Sequence, residues 1–86
     1  MIAHRADPVT LWNAAGLPVR LIWEGRRYRV SDRPTPIRQS MDVPALTHPI
    51  EKLIGYRMQI TGEDGASVVV DVHLRTGGAE LVAVYD

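Results

Sequence analysis

Apolar and polar side chains alternate along the last third of the chain. Tyr56, Met58 and Ile60 alternate with Arg57, Gln59 and Thr61, and Val68, Val70, Val72 and Leu74 with Val69, Asp71, His73 and Arg75. A period of two belongs to strands with one buried face and excludes an amphipathic helix here. Turn chemistry then sets register. A three-residue loop Glu63-Asp64-Gly65, with glycine in the left-handed position, puts Ile60 opposite Val68 and Met58 opposite Val70, whereas a two-residue Asp64-Gly65 turn would cross the faces. Gly77-Gly78 as a two-residue turn sets Arg75 opposite Glu80, Leu74 opposite Leu81, Val72 opposite Ala83 and Val70 opposite Tyr85. The expectation is a meander from Tyr56 to Tyr85.

A second hairpin spans Leu17 to Val30, with Leu17, Val19, Leu21 and Trp23 on one parity and Arg20, Ile22 and Glu24 on the other. A Gly25-Arg26 turn is the favoured register, because it pairs Trp23 with Tyr28, Leu21 with Val30 and Glu24 with Arg27. A Glu24-Gly25 turn keeps the faces but sets Arg20 against Arg29, a like-charge pair. Upstream, Val9-Thr10-Leu11-Trp12 is a β-rich run that one helical turn would also fit, followed by a turn at Asn13-Ala14-Ala15-Gly16; residues 1–8 are expected to be flexible. Pro34, Pro36, Pro44 and Pro49 argue against a long helix or central strand, so 34–48 reads as an extended excursion. Pro49 before Ile50-Glu51-Lys52-Leu53-Ile54 and Gly55 after it predict one short helical turn at 49–54, with His48 as a helix-entry or packing residue.

Eighty-six residues support one modest core. The fold class that follows is mainly β, a single domain over 1–86 in which antiparallel hairpins and a meander pack as a partly open barrel or a small sandwich. Its expected core is Val19, Leu21, Trp23, Tyr28, Val30, Met58, Ile60, Val68, Val70, Val72, Leu74, Leu81, Ala83 and Tyr85. Val69, Val82 and Val84 fall on the opposite parity and form a candidate protein interface, for a homodimer or another chain.

Catalytic templates are missing parts. Cysteine is absent, which excludes disulfides, thiolate metal sites and cysteine nucleophiles. The glycines sit where turns already require them, and Ser31, Ser40 and Ser67 have no elbow motif or neighbouring histidine. Asp71 and His73 share a strand face and could supply at most two metal ligands; a solvated face is the simpler reading. The chain therefore reads as a non-enzyme without cofactor or metal. No stretch approaches the 18 apolar residues of a membrane span and the first residues lack an apolar signal core, so no membrane partner and a cytoplasmic location are expected.

One charged feature stands out. Arg20, Arg26, Arg27, Arg29, Arg33 and Arg38 crowd a short stretch against only Glu24 and Asp32, with Trp23 and Tyr28 interleaved. Residues 1–40 carry seven Arg against Asp7, Glu24 and Asp32, a balance of +4, and the remainder carries Lys52, Arg57 and Arg75 against seven acids, −4. Arginines on the outer face of a hairpin form a ribbon that could lie along nucleic-acid phosphates or an acidic protein surface. Trp23 and Tyr28 point inward by parity, which argues against base stacking on them.

The run from Gly16 to Val30, containing Trp23-Glu24-Gly25-Arg26-Arg27-Tyr28-Arg29-Val30, together with Leu81-Val82-Ala83-Val84-Tyr85-Asp86, resembles a small actinobacterial domain family, the domain of unknown function numbered 6504. These pieces cover about a quarter of the chain, and segment 34–54 departs from that family's aromatic-rich stretch. Members of the family occur alone or appended to proteins similar to Y-family DNA polymerases. The resemblance implies a bacterial cytoplasmic accessory role near DNA repair, with no catalytic residues to carry over.

Overall fold

A computed structural model of the chain describes residues 1–41 and 50–86. Seven strands account for most of them: β1 (Ile2–Ala14), β2 (Leu17–Trp23), β3 (Arg26–Val30), β4 (Thr35–Met41), β5 (Ile50–Gly62), β6 (Ser67–Arg75) and β7 (Gly78–Tyr85). They run in the order β3-β2-β1-β7-β6-β5-β4, and a further β3–β5 pairing closes the first six into an antiparallel barrel, with β4 outside it on the flank of β5. The expected barrel is thus closed rather than partly open. Among the described residues no helix is long and apolar enough to cross a membrane.

Two long strands make the closure possible by changing partners along their length. β1 pairs with β7 through Ile2–Val9 and with β2 through Val9–Ala14. β5 pairs with β4 from Ile50 to Arg57 and with β3 from Ile60 to Gly62, while β6 lies along its other edge from Gly55 to Thr61. Two expectations fall here. Residues 2–8 are not a flexible leader but half of β1, and Ile50–Ile54 are strand rather than a helical turn. Gly55 is therefore no helix stop. A Cβ there would lie 2.1 Å from the carbonyl oxygen of Val72, so glycine is required for β5 to approach β6. Pro44, His48 and Pro49 lie outside the described residues.

Leu21, Met58, Ile60, Val70, Val72 and Leu81 are fully buried, with Val9, Trp23, Tyr56 and Ala83 completing the core and Tyr28, Val30, Val68 and Val84 packed against it. The β5–β6 register is the expected one, Ile60 facing Val68 and Met58 facing Val70, with Gly65 at positive φ. Bulges overturn three other assignments. Val19 is an extra residue between the Asn13–Pro18 and Trp12–Arg20 pairs, so Pro18 turns inward and Val19 is exposed. Val82 is an extra residue in β7, which pairs Val84 with Val70 and Tyr85 with Val69; Val84 joins the core and Tyr85 leaves it. The β6–β7 turn is Thr76-Gly77, with Arg75 facing Gly78, and Leu74, near this end of the barrel, is exposed.

The β2–β3 turn is Glu24-Gly25, not Gly25-Arg26. Both residues have positive φ, +53° and +73°, the conformation of a type I′ turn whose twist matches the flanking strands. Trp23 consequently faces Arg26, Leu21 faces Tyr28, and Arg20 faces Arg29. The Trp23 and Tyr28 rings still meet diagonally, their centroids 5.8 Å apart.

Candidate functional site

The outer wall of the β2–β3 hairpin is built by parity. Arg20 and Ile22 project from β2, and Arg27 and Arg29 from β3, while Arg26 sits at the rim on the inward parity beside Trp23. Arg20 and Arg29 are directly opposite one another, an arrangement that costs a few tenths of a kcal/mol. Arg20, Arg26, Arg27 and Arg29 are all exposed. Among the described residues, none of the four has an ion-pair partner.

The three acids nearest them in the first half of the chain are engaged elsewhere. Asp7 accepts hydrogen bonds from the indole N–H of Trp23 at 2.9 Å and from Arg5. The Trp23 bond, followed by that of Arg5, holds the Asp7 carboxyl below the usual carboxylate range. Glu24 lies 3.5 Å from Arg5, whose guanidinium also stacks over the Trp23 ring. Asp32 accepts the backbone N–H of Gln59 at 2.8 Å. Arg5 thus serves Asp7 and Glu24, and among the described residues the hairpin arginines have no ion-pair partner.

Below the hairpin the surface is concave. Two adjoining hollows, of about 560 and 530 Å³, share Arg27, Tyr28, Gly62 and Glu63 and meet over the β3–β5 seam. The inner hollow lies at the barrel mouth between the Glu24-Gly25 turn and the Glu63–Gly65 loop, and adds Arg26, Asp64, Ala66 and Val68. The outer one lies on the wall and adds Arg20, Arg29 and Thr61. Thr61 is tied by hydroxyl bonds to Ser31 at 2.8 Å and Ser67 at 2.7 Å, so the wall beside Arg29 is polar and fixed.

The arginines expected to act together separate into two groups. Arg20, Arg27 and Arg29 share one wall with Arg26 at its rim, whereas Arg33 follows β3 in the loop and Arg38 lies on β4 opposite Leu53. Val69, Val82 and Val84 do not form one exposed patch. Val84 packs on the core, Val82 is half-buried in the bulge, and Val69 is half-buried opposite Tyr85. Asp71, read as part of a solvated face, is buried and receives Arg57 through two hydrogen bonds, of 2.8 and 3.1 Å, and the Tyr85 hydroxyl at 2.6 Å. Burial pushes its carboxyl up. The Arg57 and Tyr85 hydrogen bonds, with the Arg57 charge, outweigh burial and hold the carboxyl below the usual range. Bonding to Asp71 in turn raises the Tyr85 hydroxyl. Among the described residues no group of three His, Asp or Glu side chains converges as metal ligands would.

The hollow is a candidate feature that sequence reasoning missed. It arises because Gly62 faces Tyr28 across strands that are far apart in the chain. The chain matches no protein-family model, no curated protein and no solved structure.

Proposed function

We propose that the protein is a non-catalytic binding module that takes a polyanion, nucleic acid foremost, on the outer wall of its β2–β3 hairpin. The carrying observation is the cross-strand Arg20–Arg29 pair, flanked by Arg27 and left without acidic partners among the described residues. Like charges held face to face weaken a fold, and a bound phosphate chain relieves that repulsion while releasing counterions. The resemblance of the Gly16–Val30 run to a domain found beside polymerase-like proteins supports an accessory role near DNA repair. Fluorescence anisotropy with a labelled oligonucleotide at low and moderate salt tests the reading. Salt-sensitive binding that is lost on joint Arg20→Ala and Arg29→Ala substitution is expected, and a signal indifferent to salt and to both substitutions refutes it.

A second reading rests on β4, which lies outside the barrel and, among the described residues, pairs only with β5. A free edge can accept a strand from another copy, although Pro36 and Arg38 on β4 are the residue types that discourage such pairing. Light scattering over a range of protein concentrations decides it, a mass that rises with concentration supporting self-association and a constant monomer mass excluding it.

A further inference from the structure

We infer that the two hollows divide one ligand between them, and that this ligand is a single-stranded nucleic acid that seats an unpaired, amino-bearing base at the barrel mouth. The inference rests on the polyanion reading above and adds what lies beside the phosphates. The outer hollow carries Arg20, Arg27 and Arg29 against Glu63, an excess of positive charge suited to phosphate. The inner hollow differs in kind. There Arg26 and Arg27 are balanced by Glu63 and Asp64, and the Tyr28 ring, Val68 and Ala66 supply apolar surface. A neutral, partly apolar recess beside a cationic wall matches the two halves of a nucleotide, a flat base and its phosphate.

Parity alone would bury Tyr28, but the residue facing it is Gly62, and Tyr28 remains half-buried and borders both hollows. A Cβ on Gly62 would come within 3.0 Å of the Asp64 carboxylate and 3.4 Å of the Tyr28 ring, so any larger side chain there displaces Asp64 and occupies the space beside the ring. Gly62 is not at positive φ, so such a side chain meets no backbone objection. One Asp64 oxygen already accepts the Ala66 backbone N–H at 3.0 Å; its other oxygen and the Glu63 carboxylate accept hydrogen bonds only, which favours bases with an exocyclic amine, as when an acidic side chain accepts from cytosine N4. Duplex DNA keeps its bases paired and stacked and could use only the outer wall.

Anisotropy competition with single-stranded oligo(dC), oligo(dT), a duplex of equal length and inorganic polyphosphate separates the parts. Oligo(dC) is expected to bind at least tenfold tighter than duplex or polyphosphate, in line with the roughly 5- to 150-fold that one base stacked on an aromatic ring contributes, and tighter than oligo(dT). Gly62→Leu, checked for folding by circular dichroism, is expected to lower oligo(dC) binding at least tenfold, removing its advantage over polyphosphate. On saturation with oligo(dC), the Tyr28 ring resonances shift while those of Tyr56 and Tyr85 stay in place, a readout on the unaltered chain. Equal binding of polyphosphate and oligo(dC), or an unmoved Tyr28 ring, overturns the base pocket and leaves the arginine wall standing. Equal binding of oligo(dC) and oligo(dT), both above polyphosphate, overturns the amino-base assignment alone. No binding by any polyanion overturns both this inference and the reading beneath it.

Discussion

Arginine is used in opposite ways on two walls of the same barrel. On the β5–β6–β7 wall, Arg57 is half exposed yet fully committed, clamped on Asp71, donating to the Tyr85 hydroxyl at 2.6 Å and lying 4.6 Å from the Tyr85 ring centroid. On the β2–β3 wall, Arg20 faces Arg29 with no acid between them. The first wall satisfies its charges internally, which raises stability and leaves nothing to offer a ligand. The second leaves them unsatisfied, at a small cost in stability. A surface charge therefore acquires functional meaning from what its neighbours fail to do for it.

The sharpest way to break the comparison is to disturb the committed wall at its narrowest point. Gly55 faces His73 two residues before Arg57, and a methyl group there collides with the carbonyl of Val72 and the Cα of His73. Backbone cannot step aside cheaply, so Gly55→Ala is expected to cost about 3 kcal/mol or more in urea unfolding. A loss under about 1 kcal/mol would mean that β5 and β6 do not approach as described.

Removing the shared acceptor comes next. Asp71→Ala removes the acceptor shared by the Arg57 guanidinium and the Tyr85 hydroxyl and, because Arg57 is half exposed, is expected to cost about 1–2 kcal/mol. The same carboxyl sets a pH window. Its pKa is lower in the folded chain than in the unfolded one, so its contribution is complete above the ~3.9 of an unfolded aspartate and is lost as pH falls through the folded value. Acid unfolding of Asp71→Asn should lack this component and show a shallower fall in stability below about pH 4; an unchanged profile would mean that the clamp is not coupled to folding.

The smallest effect has the opposite sign. Arg29→Glu converts a repulsive cross-strand pair into an attractive one and is expected to add about 0.2–1 kcal/mol while abolishing polyanion binding. A thermal melt alongside anisotropy reads both. If the variant loses stability, the arginine wall is not held at the expense of the fold.

Much of this architecture was legible because alternation and turn residues are local. The β5–β6 register followed from the parity of Ile60 and Val68 and from one glycine. Bulges were not legible, since Val19 and Val82 look like any valine in a strand and only the partner strand makes them surplus. Pro49 and Gly55 read as helix punctuation because the sequence cannot show that Gly55 lies against Val72. For the site, the clustering of arginines is visible, but their lack of ion-pair partners among the described residues is not. Glu24 and Asp32 lie close to the arginines in sequence, but the fold delivers them to Arg5 and to the Gln59 amide. The hollow, made by residues 34 positions apart in Tyr28 and Gly62, could not have been found from local pattern.

The salt dependence of single-stranded oligonucleotide binding tests most directly whether the unpaired wall is a site. Each phosphate contact on a single strand contributes about 0.7 to the slope of log K against log salt, so three wall arginines imply a slope near −2. Arg29→Ala should reduce its magnitude by about 0.7, and Tyr85→Phe on the committed wall should leave it unchanged. A flat slope, or one that ignores Arg29 and responds to Tyr85, would contradict the assignment of function to the β2–β3 wall.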